Sequence, residues 1–336
     1  MKYPAALACG LALAVAACAS LAMRPSGAPS AAQAPAAKQE PEWLATMNRY
    51  RRADGLLPVV EDPDLGAADL NHARYLVKNH VTFSAGAGMH SEDKSNRWYT
   101  SSGYWAAQTG DVVIATNEIS ESAAIERWIS APFHGLAILA PDLRSSGFGS
   151  YCEGNWCAAV SSIGHPQELR GVAKVRQRDV FDYDSDAPEK ANRVELETPV
   201  RWPAPGMMLS SGAFADREWP DPLTACKGYK PPTGAVIFAS FGRGFAAKPQ
   251  SEELTCDGAP VEHCVVTADN YANPDPKTQE HARRLLANDA AVLLIPRAPI
   301  KPGANCEVFL TVEGDESRWS FGVRPQRAEP DNGKPS

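Results

Sequence analysis

Eight cysteines and seven histidines are the side chains of this 336-residue sequence with most scope for chemistry. No Cys-x-x-Cys occurs and the cysteine spacings fit no zinc finger, which disfavours a thiolate metal site. Cys152 and Cys157 bracket Glu-Gly-Asn-Trp, a loop short enough to close a hairpin, and Cys256 and Cys264 bracket Asp257-Gly258 in the same manner. The sequence has no Gly-x-Ser-x-Gly elbow, no His-Glu-x-x-His, no P-loop and no dinucleotide fingerprint. Gly147-Phe148-Gly149 reads as a strand with close backbone packing rather than a phosphate cradle. His72 and His80 read as helix-surface or core histidines, His263 beside Cys264 as solvent-exposed, and His165 and His281 lie outside residues 41–163. Forty acidic against 33 basic side chains give a net charge of −7, which argues against a nucleic-acid partner. With 44% hydrophobic and 22% charged residues the chain can bury a core.

The compartment is written at the N-terminus. Lys2 precedes a run from Ala5 to Ala17 that is almost wholly small or apolar. It is shorter than the roughly 20 residues a membrane span needs and suits the core of a signal peptide, residues 1–17. The run ends in Val15-Ala16-Ala17-Cys18, which resembles the lipobox of bacterial lipoproteins. That resemblance implies cleavage before Cys18 and lipid on its thiol; the alternative is an ordinary signal peptide with Cys18 incidental. With Ser20 rather than an Asp close behind Cys18, the resemblance leans towards the outer membrane of a Gram-negative bacterium. Cys9 and Cys18 set aside, six cysteines remain, and an even number in an exported protein reads as disulfides. Closing the two short loops leaves Cys226 with Cys306, the most economical of fifteen connectivities.

The elements follow in order. Residues 18–40 are rich in Ala, Pro, Ser and Gln and read as a disordered tether. Trp43, Leu44, Met47 and Tyr50 fall at helical spacing, with Asn48, Arg49, Arg51 and Arg52 on the polar side and Gly55 as the stop. Asp62 as N-cap and Pro63 at the first turn open a second helix. Residues 81–110 read as a long structured loop, in which Trp98, Tyr99, Tyr104 and Trp105 either form an irregular core or line a cleft. A third helix is expected over Ser122–Ser130, then a hairpin of Gly147–Tyr151 and Trp156–Val160. Residues 165–193 are a charged connector. From Val194, short β-branched and aromatic runs alternate with turns: Val194–Leu196, Ala235–Phe241, Val265–Thr267, Ala291–Ile295, Val308–Val312 and Trp319–Val323. Such spacing suggests a β-sandwich over 194–324, with a short helix over Lys277–Ala287 and a disordered tail over 325–336.

Residues 41–163 carry a family resemblance. Leu44-x-x-Met47-Asn48-x-Tyr50-Arg51, Gly55-Leu56, Asp62-x-x-Leu65, His72-Ala73, Met89-His90-Ser91-Glu92, Asn117-Glu118-Ile119 and Trp128-Ile129-Ser130-Ala131-Pro132-x-His134 occur in that order. Together with Gly147-x-Gly149 and Trp156 they look like a bacterial CAP domain of the SCP/PR-1-like superfamily. The resemblance implies an α-β-α sandwich over 41–164 and a cleft with two histidines and two acids that binds divalent metal in some members. Carried over, His90 and His134 take the histidine positions and Glu118 one acid position. The second acid has no clean counterpart, since Glu126 lies two residues before Trp128, and Gly135 stands where an Arg normally follows the histidine. Two imidazoles and a carboxylate suit Zn²⁺ with an open position for water; without metal the same groups can hydrogen-bond one another.

The C-terminal stretch Pro299-Ile300-Lys301-Pro302-Gly303-Ala304-Asn305-Cys306-Glu307-Val308, with Trp319-Ser320-Phe321, resembles the last strands of bacterial Ig-like domains, Cys306 replacing their usual tyrosine. The fold class is therefore read as α+β, a CAP-type α-β-α sandwich followed by an all-β Ig-like sandwich. The functional expectation is a lipid-anchored cell-envelope protein, held to the membrane by its N-terminal lipid, whose CAP cleft binds a small apolar ligand or an envelope protein partner without catalysis. The alternative is a divalent-metal-dependent hydrolase using His90, Glu118 and His134, with Zn as cofactor.

Overall fold

A computed structural model describes residues 40–115, 117–163, 194–215 and 217–326. The signal, the tether but for Glu40, the lipidation position Cys18, the connector 165–193 and the last ten residues lie outside the described residues.

The N-terminal half is laid down as α1 (Glu42–Ala53), β1 (Val60–Glu61), α2 (Pro63–Lys78), a 3-10 segment (Phe83–His90), α3 (Ser101–Thr109), β2 (Gly110–Ala115), α4 (Glu121–Ser130), α5 (Pro132–Ile138), β3 (Ser145–Ser146), β4 (Gly149–Glu153) and β5 (Trp156–Ser162). The Asp62 carboxylate accepts from the amides of Asp64 and Leu65, so α2 starts on the expected cap. Gly55 has φ 76°, a left-handed conformation that suits glycine just beyond α1. β2, β5 and β4 form an antiparallel sheet in that order. Alternation along its strands divides the core: Val112, Ala158 and Val160 pack with Ala73, Leu76 and Val77 of α2. Val113 and Ala159, one residue out of phase, join Trp43, Met47, Ile125 and Trp128 of α1 and α4. This is the α-β-α layering the resemblance implied.

Two details of this half depart from the sequence reading. Residues 101–109 form a helix rather than loop, short and capped by Thr100, whose hydroxyl accepts from the Gly103 amide. Asn48 and Arg51, placed on the polar face of α1, are buried. Asn48 bridges both backbone groups of Val59, and the Arg51 guanidinium donates to the carbonyls of Leu57, Ile138, Ala140 and Leu143. A side chain with five fixed donors can bond several converging backbone carbonyls at once, and so repays its own burial. Burial lowers the Arg51 pKa to about 10.

The C-terminal half has a four-stranded antiparallel sheet, ordered β13 (His263–Val266), β14 (Ala291–Pro296), β10 (Ile237–Arg243), β6 (Val194–Trp202). A five-stranded sheet runs β12 (Ala259–Pro260), β11 (Pro249–Cys256), β15 (Asn305–Val312), β16 (Asp315–Val323), β7 (Met208–Leu209), with the β16–β7 pair parallel. β8 (Ala213–Phe214) and β9 (Thr233–Gly234) form a separate ribbon. β14 is buried at every position, whereas β15 alternates, so the first sheet is covered on both faces and the second chiefly on one. The half is not all-β: α6 (Pro276–Asn288) buries Ala282 and Leu286 and is capped by Asp275 with Pro276 behind it. β11 escaped the sequence reading because Gln250-Ser251-Glu252-Glu253 gives it almost no apolar signal.

Among the described residues three disulfides close the fold. Cys152–Cys157 is the expected hairpin bridge, but the other four cysteines pair as Cys226–Cys264 and Cys256–Cys306, correcting the pairing by shortest loop. Cys256 lies directly across the ladder from Cys306 in the β11–β15 register, within reach of a bridge, and Cys264 sits on β13 in the other sheet.

Residues 40–326 belong to one compact unit. Its halves meet along α1 and α5: Asp54 takes the Arg201 backbone amide and guanidinium, Tyr50 meets Trp202 edge-on at 5.3 Å, and Phe133 meets Tyr271 at 5.9 Å.

Candidate functional site

The cleft histidines reach their places from separate elements. His90 ends the 3-10 segment, its carbonyl held by Gln108 Nε2 at 2.7 Å. His134 is the third residue of α5, a helix that starts at Pro132. Asp111, second in β2, is buried beside it, with Oδ1 3.9 Å from His134 Nε2. The fourth group comes from the other half of the chain. Glu218, between β8 and the turn at Pro222, is buried with its Oε1 2.7 Å from His134 Nδ1 and 3.1 Å from the His134 backbone amide. One carboxylate oxygen thus takes a ring proton and an otherwise unpaired first-turn amide of α5.

The electrostatics separate the two imidazoles. Burial opposes charge on His134, but Asp111 and Glu218 outweigh it and push its pKa up to about 9. Burial pushes Asp111 up to about 7, with His134 opposing and Glu218 adding, and its Oδ2 has no hydrogen-bond partner among the described residues. Burial raises Glu218 too, against the pull of His134. His90 goes the other way: burial, then the charge of His134, lower it to about 3. Its Nδ1 lies 3.2 Å from the Ala107 carbonyl, which can only accept, so Nδ1 carries the proton and Nε2 is a bare acceptor. Near neutral pH the site pairs an imidazolium held by acids with a neutral imidazole.

Trp219 follows Glu218 and completes the closure. Its ring lies 5.8 Å from that of His90 and stacks at 5.1 Å on His281 of α6, another histidine that burial lowers, to about 4. A cavity of about 260 Å³ remains, walled by Phe83, His90, Trp128 and His134 from one half and by Glu218 and Trp219 from the other.

Of the residues expected to share a metal, the structure brings His90 and His134 to one cavity and leaves Glu118 outside it, exposed on the segment after β2. Glu126 instead pairs at the surface with Arg49 at 3.0 Å. Zn²⁺ needs three or four donors converging at about 2.0–2.3 Å. Here His134 Nδ1 is committed to Glu218, and among the described residues no group of three His, Cys, Asp or Glu has the geometry to hold a metal ion. The donor set does not fit a resident metal. Sequence reasoning missed Asp111 and Glu218, and only the cleft histidines pointed towards them.

The remaining singled-out residues lie away from the cleft cavity. His72 is buried, with Nδ1 2.9 Å from Glu92 Oε1 and Nε2 2.8 Å from the Met89 carbonyl. Trp105 packs with Leu65, and Trp98, Tyr99 and Tyr104 are half-buried outside the cleft cavity. Gly147 and Gly149 press against the start of α2: a Cβ on Gly147 would lie 2.6 Å from Asp69 Oδ2, and one on Gly149 2.6 Å from the Asp69 carbonyl carbon.

A search of curated proteins finds no match to the chain. A family model described as CAP, the cysteine-rich secretory protein family, matches residues 44–163. That span covers the α-β-α layers and both cleft histidines, so the match and the layering together support a CAP domain over residues 44–163.

Proposed function

We propose that this chain is an exported, lipid-anchored protein of the cell envelope whose CAP cleft recognises a small ligand rather than catalysing hydrolysis. The observation that carries the reading is the His134–Glu218 contact at 2.7 Å. An imidazolium held between two acids cannot take a proton from water near neutral pH, and a His90 lowered to about 3 is too weak a base to replace it. Among the described residues the cavity walls offer no serine, threonine or cysteine nucleophile. Three disulfides and a CAP domain are features of an extracytoplasmic protein, and among the described residues no helix is long and apolar enough to cross a membrane. The lipobox at Cys18 supplies the anchor in this reading, and residues 194–324, with strands resembling an Ig-like domain, brace the cleft.

Long-range ¹H–¹⁵N spectra of the imidazoles near neutral pH test the cleft. The expected result is a doubly protonated His134 and a neutral His90, both unmoved by added Zn²⁺. A neutral His134 whose nitrogens shift with Zn²⁺ would return the site to the metal-hydrolase reading. For the anchor, Cys18→Ser should move the protein from the membrane to the soluble fraction, and unchanged partitioning would overturn it.

A further inference from the structure

Arg74 and Lys78, four residues apart on α2, lie on one side of that helix, remote in sequence from the cleft residues and absent from the cavity wall. The Arg74 guanidinium sits 5.4 Å from the centre of the Tyr151 ring. The Lys78 ammonium lies 4.9 Å from Trp98 and 5.8 Å from Tyr151, and the Arg97 guanidinium 4.9 Å from the same Trp98. Lys94 lies 5.4 Å from Tyr104. Of these four cations Lys78 pairs with Glu153, while among the described residues Arg74, Lys94 and Arg97 have no acidic partner. Asp93 is occupied by its own turn, accepting from the amide and hydroxyl of Ser95. Four cations therefore stand against two carboxylates on a chain whose net charge is −7.

Cations lying over aromatic rings are already oriented, so less side-chain freedom is lost when an anion arrives. The neighbouring surface is half-buried and aromatic, not aliphatic. The exposed large hydrophobic residues, Leu57, Val60 and Met208, lie on other elements, so this face has nothing to insert into a bilayer. We propose that the face built from Arg74, Lys78, Lys94, Arg97, Trp98 and Tyr151 binds an anionic glycan. Its acidic groups pair with Arg74, Lys94 and Arg97, and its sugar rings lie against the Trp98 and Tyr151 surface. Glycan binding on this face does not depend on what the cleft does.

Titration calorimetry of the full mature chain with polygalacturonate, neutral dextran and phosphatidylglycerol vesicles tests it. Binding to polygalacturonate alone is expected, weakening about fivefold or more between about 50 and about 300 mM salt. Arg74→Glu with Arg97→Glu should weaken it by at least about tenfold with an unchanged circular dichroism spectrum, as like charges then face the glycan. Lys94→Glu, which alters one exposed residue, should weaken it about threefold and guards against misfolding of the double variant. Absence of heat with polygalacturonate, equal affinity for dextran, binding to vesicles only, or a folded double variant of wild-type affinity would each overturn the proposal.

Discussion

Replacing Glu218 by Gln separates the charge of this side chain from its shape. The amide keeps an oxygen for the His134 backbone N–H at 3.1 Å but no longer offers an anion to the ring nitrogen at 2.7 Å. A hydrogen bond to a charged group contributes about 1.5–3 kcal/mol. The titration of His134 gives an independent figure. Its rise from 6.5 to about 9 corresponds to about 3 kcal/mol, shared between Asp111 and Glu218 and partly offset by burial. We expect Glu218→Gln to cost about 2 kcal/mol below pH ~6.5, measured by urea denaturation with tryptophan fluorescence.

The pH dependence is the sharper test. The folded pKa of His134 lies above its unfolded value, so its stabilisation is complete below about pH 6.5 and is lost as pH rises through about 9. Asp111 acts in the same sense over a lower window, its contribution lost as pH rises from 3.8 through about 7. His90 acts oppositely, its contribution present above about pH 6.5 and lost as pH falls through about 3. Comparing wild type with variant cancels much of the Asp111 and His90 contributions, which both proteins share. The difference should be about 2 kcal/mol near pH 6 and should shrink below about 1 kcal/mol near pH 10, where His134 is neutral in both. A penalty under about 0.5 kcal/mol near pH 6, or an equal penalty at both pH values, would refute the buried ion pair.

Two further outcomes follow from packing and covalent structure. Gly149→Ala should destabilise the CAP domain by about 3 kcal/mol or more, because the added Cβ meets the backbone of α2 rather than a side chain that can turn aside; thermal denaturation measures it, and a loss below about 1 kcal/mol would show that α2 can retreat. Non-reducing peptide mapping should link Cys226 to Cys264 and Cys256 to Cys306, and Cys226→Ser with Cys264→Ser, which opens a separation of 38 residues, should cost about 4 kcal/mol of stability in urea.

Much of the CAP half is legible because its signals are local. The Asp62-Pro63 cap, the Gly55 stop, the spacing of Trp43, Leu44 and Met47, and the Cys152–Cys157 hairpin each depend on residues a few positions apart. Legibility ends where a partner is distant. Arg51 has the composition of a solvated helix face, and its burial is apparent only when the carbonyls of 138–143 come round to meet it. Loop economy favoured Cys256 with Cys264, whereas sheet register places Cys256 opposite Cys306, 50 positions away. The polar strand β11 has no pattern of its own and is held by pairing with β15.

The two places where the cleft motif departs from its family resemblance have one physical cause. Gly135 stands where an arginine is usual, and a Cβ there would already lie 2.7 Å from the Ile129 carbonyl and 2.8 Å from the Phe238 ring of β10. The C-terminal half docks against that glycine, so a long cation at this position would hold the two halves apart. The missing acid has the same origin. Glu218 lies 84 residues beyond His134 in sequence and reaches the ring because the docked half carries Ala215 and Arg217–Trp219 over the cleft. A motif search confined to the α4–α5 region finds a gap at each position, but both are surfaces complementary to the second half of the chain. The cleft of this protein is therefore a property of the whole 40–326 unit, and a CAP domain cut at residue 163 would leave His134 facing Asp111 without Glu218 and expose Phe133 and Gly135 to water.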